Sequence, residues 1–288
     1  MTTLLRKSPR RVLGIPLNAV LLFGLAVLGA LVLFAVLGPV LVDQTQGEVG
    51  SNMPLLRPSP QNWLGTDTQG RDVFTNLVLA TPKTLFIGLL AGIIGIAVGT
   101  VLGLVSGFYG GWIDMVIRTI TDVFITIPGI AILVVIATNV RTMDVTLMAL
   151  IVSLLAWRFP ARSIRAQTLS LRERPYLQVA QLNGVSGLEL IVREVLPNLL
   201  PYIAASFVSA VSQSILTSIG LEALGLGPQD EYTLGMMLYW AQFYGAILRG
   251  LYWWWMPPVV IIVLIFVGLL FTSAGIDELV NTRLRKRE

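Results

Sequence analysis

The 288-residue chain has no cysteine and no histidine. The first absence removes disulfides, thiolate nucleophiles and thiolate metal ligands. The second removes the usual general base at neutral pH and the commonest metal ligand. Charge is scarce as well: Asp, Glu, Lys and Arg make up 12% of the residues against 55% hydrophobic, and the mean hydropathy is +0.78. Soluble domains carry about twice that share of charge, so the composition is that of an integral membrane protein. Lysine occurs only at Lys7, Lys83 and Lys286, none in a G-x-x-x-x-G-K-[ST] loop, so the sequence holds no phosphate-cradling motif for ATP hydrolysis. An intramembrane enzyme would be left with carboxylate or Ser-Lys chemistry, and no lysine lies in an apolar run. The basic pI of about 9.6 comes from arginines at the flanks of apolar runs, which points to membrane topology rather than to nucleic acid.

What is present is a series of long uncharged runs. Residues 1–16 carry Arg6, Lys7, Arg10 and Arg11 ahead of an uncharged run over 17–42. That run is too long for the core of a signal peptide and lacks a small-residue cleavage site, which predicts a first transmembrane helix. A polar loop over 43–83 follows, with Pro54, Pro58 and Pro60 and then WLGTDTQGRDVF, where Thr66 and Gln69 are spaced to cap a short helix. The segment 84–288 reads as a core of five more helices, over 84–109, 115–138, 145–157, 196–221 and 251–276, with a short or re-entrant helix between Gly220 and Gly245. The fourth is short for a crossing unless Arg158 and Arg162 snorkel to the interface.

Two patterns inside these runs are structural. Gly88, Gly92, Gly95, Gly99, Gly103 and Gly107 recur mostly four residues apart, a stripe that lets helices approach closely. Asp114, Arg118 and Asp122 at i, i+4 and i+8 place two acids beside one guanidinium. The cation keeps both carboxylates ionised, so this is a structural ladder rather than a proton-sharing dyad.

Six spans put both termini on one side. Of the 20 lysines and arginines, only Arg57, Arg71, Lys83, Arg141 and Arg249 fall on the opposite side, leaving 20 − 5 = 15 with the termini. The positive-inside rule then places the termini and the loop 158–196 in the cytoplasm.

That loop is centred on PYLQVAQLNGVSGLELIVREVLP, Pro175 to Pro197. Pro175 suits a first helical turn, after which Tyr176, Val179, Ala180 and Asn183 share a face, and Gly184 supplies a left-handed stop. Ser186 and Glu189 form a capping box for a second helix with an expected apolar face of Leu188, Ile191, Val192 and Val195.

The pattern Y-x-x-V-A-x-x-x-G from Tyr176 to Gly184, followed by Leu196-Pro197-Asn198, resembles the EAA cytoplasmic loop of ABC importer permeases. Gln178 stands where that family usually has Glu, and Val179 where it has Ala. Asn62-Trp63-Leu64-Gly65-Thr66-Asp67 with Gly70-Arg71-Asp72-Val73, then Gly107 to Asp114 with Arg118, Asp122 and Pro128, are similar to the second permease of dipeptide, oligopeptide and nickel importers. Gly220-Leu-Glu-Ala-Leu-Gly-Leu-Gly227 resembles that family's G-L-S-F-L-G-L-G.

The resemblance implies an all-α membrane protein of the type I ABC permease fold, with six transmembrane helices and cytoplasmic coupling helices. It implies a homologous second permease, two cytoplasmic subunits that bind and hydrolyse ATP with Mg, and an extracytoplasmic solute-binding protein. The chain itself would hold no cofactor and no metal, and would sit in the lipid of a prokaryotic plasma membrane. Tyr176, Gln178, Val179, Ala180, Gly184, Ser186, Glu189, Leu196 and Pro197 would couple it to the ATPases. The expected cargo is an oligopeptide or dipeptide; an oligosaccharide is the alternative, and an ion-gradient-driven secondary transporter, relying on buried ionisable groups or broken helices, is a second.

Ser206, Ser209, Gln213 and Thr217 lie along one face of the fifth span, either lining a path or hydrogen-bonding a neighbouring helix. Aromatics concentrate late in the chain, among them Trp240, Tyr244, Trp253 and Trp254, as an interfacial belt or as a stacking platform at a substrate mouth. Glu222, just past the fifth span, has no role that its sequence context assigns.

Overall fold

A computed structural model describes residues 18–280 and, ahead of them, the backbone of Arg11–Val12 and Ile15–Pro16, two short strands paired antiparallel. The basic clusters expected at Arg6 to Arg11 and from Arg283 to Arg287 lie outside the described side chains. The other elements are helical: α1 (Ala19–Leu41), a 3-10 turn (Gln44–Gly47) that opens an otherwise irregular loop to residue 72, α2 (Val73–Tyr109), α3 (Gly111–Thr126), α4 (Gly129–Thr138), α5 (Val145–Ala156), α6 (Arg158–Arg172), α7 (Pro175–Leu182), α8 (Gly187–Leu190), a π turn (Ile191–Val195), α9 (Leu196–Ala223), α10 (Leu234–Phe243) and α11 (Tyr252–Val280). Among the described residues five stretches are long and apolar enough to cross a membrane, or six if the bent α3–α4 pair counts as one.

The direction of each crossing follows from packing along α2. Gly88 and Gly92 meet Ile215 and Val211 of α9, so those helices run antiparallel. Gly95, Gly99, Gly103 and Gly107 meet Ala156, Pro160, Ala161 and Thr168 in rising order, so α5 and α6 run parallel to α2. Two parallel neighbours need a return crossing between them, and in the chain only α3 and α4 can supply it. On the far side α1 lies antiparallel on α11, with Gly24 against Thr272, Gly275 against Leu21 and Gly268 against Leu28.

Three of the expected span boundaries differ. The second helix starts at Val73 rather than at 84, because the Asp72 carboxylate accepts from the Thr75 N–H at 2.7 Å and caps it, and the charge of Lys83 is met by Glu231 at 2.9 Å. The third is broken: α3 and α4 are bent by 80°, since Pro128 has no N–H to continue the ladder and pushes Ile127 to an extended conformation. The fourth is not short, because α5 passes through Trp157 into α6 as a 28-residue stretch, Val145–Arg172. The short helix expected between Gly220 and Gly245 is present as α10.

The expected cap at Thr66 and Gln69 starts no helix. The Thr66 hydroxyl instead donates to the Met53 carbonyl at 2.7 Å and accepts from the Leu56 N–H at 2.8 Å, tying two passes of the 43–72 loop together. Asp67 accepts from the Gln69 and Arg71 N–H groups at 2.7 and 3.0 Å, and burial pushes its carboxyl above the usual range despite Arg71 beside it. Arg71 also lies over the Tyr232 ring, 4.6 Å from its centre.

Glu222 belongs to the last turn of α9 and is fully buried. It accepts from the hydroxyls of Ser218 and Thr233, both at 2.7 Å, while the Leu234 N–H donates to Thr84 of α2 at 2.9 Å. This knot fastens the start of α10 to α9 and α2. A buried acid is tolerable there because its oxygens are partnered.

The glycine stripe makes a direct prediction. A methyl group at Gly95 would lie 2.6 Å from the Ala156 Cβ, and one at Gly99 2.6 Å from the Pro160 Cβ, whereas Gly29 has nothing within 4 Å. Gly95→Leu and Gly99→Leu should each destabilise the bundle by about 1–3 kcal/mol or prevent its accumulation, and Gly29→Ala should be neutral or mildly stabilising. Membrane yield and thermal unfolding in detergent read the difference.

Candidate functional site

One end of the bundle is built from α7, α8 and the π turn, seated on the ends of α2, α6 and α9. Arg174 is extended, Pro175 opens α7, and Gly184 ends it at φ +82° in open space, so its need for glycine is conformational only. Leu177, Leu190, Ile191 and Val195 are buried against Leu104, Phe108, Ile164 and Leu199. Outward, the same segment exposes Tyr176, Val179, Leu182, Leu188 and Val192, with Gln178 also exposed. The segment is thus braced from beneath and apolar on its free side.

The expected faces are redistributed. Ala180 is half-buried, but Tyr176 and Val179 of the same expected face point outward. In the second helix Ile191 and Val195 turn inward as expected, while Leu188 and Val192 are 66% and 52% exposed. The π turn adds a residue to one turn and shifts the phase of the apolar face. The capping box is half-formed: the Ser186 hydroxyl accepts from the Glu189 N–H at 3.3 Å, but the Glu189 carboxylate pairs with Arg193 at 2.6 Å. Leu196 and Pro197 open α9, and the Asn198 amide reaches the Tyr176 hydroxyl at 3.5 Å, joining α7 to α9.

Deeper in the bundle, Ser206, Ser209, Gln213 and Thr217 all line one cavity of about 910 Å³ between α4, α5, α6, α9 and α11. The Ser209 and Thr217 hydroxyls donate to the carbonyls of Ala205 and Gln213 on their own helix, at 3.2 and 2.7 Å, not to a neighbouring helix. Their oxygens keep acceptor capacity toward the cavity. Three charged wall groups had no site assigned to them in sequence: Arg158 and Arg162 on α6 and Asp277 on α11. Arg158 reads as a snorkelling residue only while the fourth span stops at 157.

The late aromatics take a different position from an open platform. Trp253 and Trp254 are 8% and 3% exposed, packed in the core shared by α1, α2, α9, α10 and α11. The Trp253 ring abuts Gly65, its N–H donates to the Thr66 carbonyl at 3.4 Å, and Tyr244 stacks between Trp240 and Trp254 at 6.0 and 6.1 Å. Trp253 and Trp254 therefore offer no free ring face; with Tyr244 they clamp the 43–72 loop to the bundle.

The Asp114, Arg118 and Asp122 ladder is also corrected. Arg118 pairs with Asp122 at 3.5 Å, but Asp114 turns to Arg165 of α6, whose Nη2 donates to Oδ2 at 2.6 Å while Nε donates to Oδ1, and it accepts from Ser106 of α2. The fork spans 51 residues of chain, which is why local spacing points to the nearer arginine.

Residues 99–286 match the family described as binding-protein-dependent transport system inner membrane component. The chain is 30% identical over 214 residues to the dipeptide transport system permease protein DppC of Alkalihalophilus pseudofirmus, covering 74% of this chain and 69% of the relative. It is 26% identical to the oligopeptide transport system permease protein OppC of Mycobacterium bovis over 202 residues, 69% of each chain. The glutathione transport system permease protein GsiD of Pectobacterium atrosepticum is 33% identical over 174 residues, 60% of this chain and 57% of the relative.

The forked pair is testable by a double-mutant cycle on thermal unfolding. Asp114→Asn with Arg165→Met should show a coupling of roughly 1–2 kcal/mol, and Asp114→Asn with Arg118→Met close to zero. The reverse ranking would restore the local ladder.

Proposed function

The chain belongs to the binding-protein-dependent inner-membrane components, the permease subunits of ABC importers, and we propose that it forms half of the path by which an oligopeptide or dipeptide enters the cell. The other half comes from a homologous permease. Two cytoplasmic subunits bind ATP and Mg and supply the work, and a solute-binding protein on the opposite face delivers the cargo.

The observation that carries this reading is the continuity between the exposed loop and the cavity. Gly187–Ala223 is a single long helical stretch that begins in the braced segment with its apolar outer face and continues as the wall bearing Ser206, Ser209, Gln213 and Thr217. A push on α8 is therefore transmitted to the cavity wall along one helical stretch, and α7 is tied to the same stretch by the Asn198–Tyr176 contact. Tyr176, Gln178, Val179, Ala180, Gly184, Ser186, Glu189, Leu196 and Pro197 are the coupling residues in this reading, with Leu182, Leu188 and Val192 adding the apolar surface that an ATPase groove would cover. The basic residues grouped at this end, Arg165, Arg172, Arg174 and Arg193, orient it to the cytoplasm.

Peptide cargo is supported by the relatives, named for dipeptide, oligopeptide and glutathione transport. The sugar alternative drew on open ring faces, and the burial of Trp253 and Trp254 removes that support.

Two measurements test the proposal. Mild-detergent purification of the tagged chain should bring down a second permease and P-loop ATPases, identified by mass spectrometry; a folded chain that repeatedly emerges alone would overturn it. In the reconstituted complex, Gly184→Val should abolish ATP-driven uptake, because a β-branched residue resists φ +82°, while membrane insertion is retained. Uptake at the wild-type rate would refute the coupling role.

A further inference from the structure

Arg158 is the fourteenth residue of the 28-residue stretch Val145–Arg172. At 1.5 Å per residue it lies about 20 Å from either end, near the middle of a crossing. A cation at that depth is costly and marks a functional position when it faces a water-accessible cavity. Arg158 lines the 910 Å³ cavity, and among the described residues no carboxylate pairs with it.

Its surroundings hold the guanidinium without using it up. Nη1 donates to the Phe124 carbonyl at 3.0 Å, in the last turn of α3, and the Phe159 ring centre lies 5.1 Å from the guanidinium carbon. The Nε–H is buried with no partner, which leaves most of the five N–H donors of the side chain unused. Gly129 makes the space, since a methyl group there would lie 2.6 Å from both terminal nitrogens.

Gly129 is also the first residue of α4, whose start has no side-chain cap, so the guanidinium lies against the uncapped beginning of that helix. The wall charge of the cavity is Arg158 and Arg162 against Asp277, a net positive balance, with Arg162 only loosely met by Asp122 at 3.8 Å. The Ser214 hydroxyl, another wall group, is buried and unpartnered.

We propose that Arg158, with the uncapped start of α4 at the α3–α4 break, is an anion-recognition point that receives a carboxylate of the imported solute midway through the membrane. The proposal rests on the import reading above and adds a specificity residue to it. A peptide with a free C-terminal carboxylate would be preferred by the permease itself, independently of the binding protein.

The test uses the complete complex in proteoliposomes with one binding protein throughout, supplied with radiolabelled alanyl-alanine or its C-terminal amide. Because the binding protein is the same in every arm, a change in the acid-to-amide uptake ratio between variants belongs to the permease. Arg158→Gln should lower uptake of the acid about ten-fold and leave the amide within about two-fold, and Arg158→Lys should recover most of the loss. Parallel loss of both compounds would assign Arg158 a merely structural role at the break, and an unchanged ratio would overturn the proposal.

A second arm is independent of cargo. The chain has no native cysteine, so Ser206→Cys on the same cavity wall provides a unique thiol in it. Anionic and cationic thiosulfonate reagents should label it with a rate ratio that shifts about ten-fold against the anion when Arg158→Gln is added. If the wild-type complex takes up neither compound yet the ratio shifts, the peptide reading falls and the anion site stands. A ratio that does not move overturns the site.

Discussion

The bundle depends on how closely α2 can approach its neighbours. Lipid chains are as apolar as leucine, so helices in a bilayer gain little from simple hydrophobic contact and associate where their backbones can pack tightly. The stripe from Gly88 to Gly107 provides that contact along about five turns and distributes it, the first two glycines to α9 and the remainder to α5 and α6. The apolar clusters sit in sequence along this spine: one with α1, α10 and α11, one with α4 and α5, and one beneath α7 and α8. The long helices α5, α6 and α9 are located directly by α2, and α4, α7 and α8 through them.

Two features of the site have opposite demands. The segment around Gly184 needs an exposed apolar face to meet a partner, and it has one because its inward leucines and valines anchor it to the spine. The cavity, open on the side where Ser209 and Gln213 are exposed, needs polar walls on an apolar bundle, and here hydroxyls that bond backward along their own helix make those walls without crosslinking it to a neighbour. Rigid linkage between the two would be lost if the connection were a loop. A helical stretch from Gly187 to Ala223, continuous through its π turn, avoids this.

Much of this was legible in the sequence for physical reasons. Uncharged runs longer than a bilayer, the four-residue glycine period and the Pro175 and Gly184 punctuation each have a local cause, and each appears in the fold. What escaped reading was set by partners remote in the chain. Lys83 reads as the end of a loop until Glu231, 231 − 83 = 148 residues on, neutralises it. Asp114 reads as belonging to Arg118 until the bundle brings up Arg165. Trp253 and Trp254 read as surface aromatics because composition does not reveal that Gly65 and Thr66 fold over them. The break at Pro128 is the exception, for the proline was a sufficient signal and the uncharged run across it masked the bend.

The π turn at Ile191–Val195 gives the long helix a property that its length alone does not. A π turn is one residue more than an α turn, so it acts as a phase adjuster: everything beyond it is rotated by about 100° relative to an unbroken α-helix. That offset lets Leu190, Ile191 and Val195 face the bundle at one end while Ser206, Ser209 and Gln213 face the cavity further along. The clutch between docking surface and pathway is thus a single surplus residue, and the angular timing of the two faces is written into the backbone rather than into any side chain.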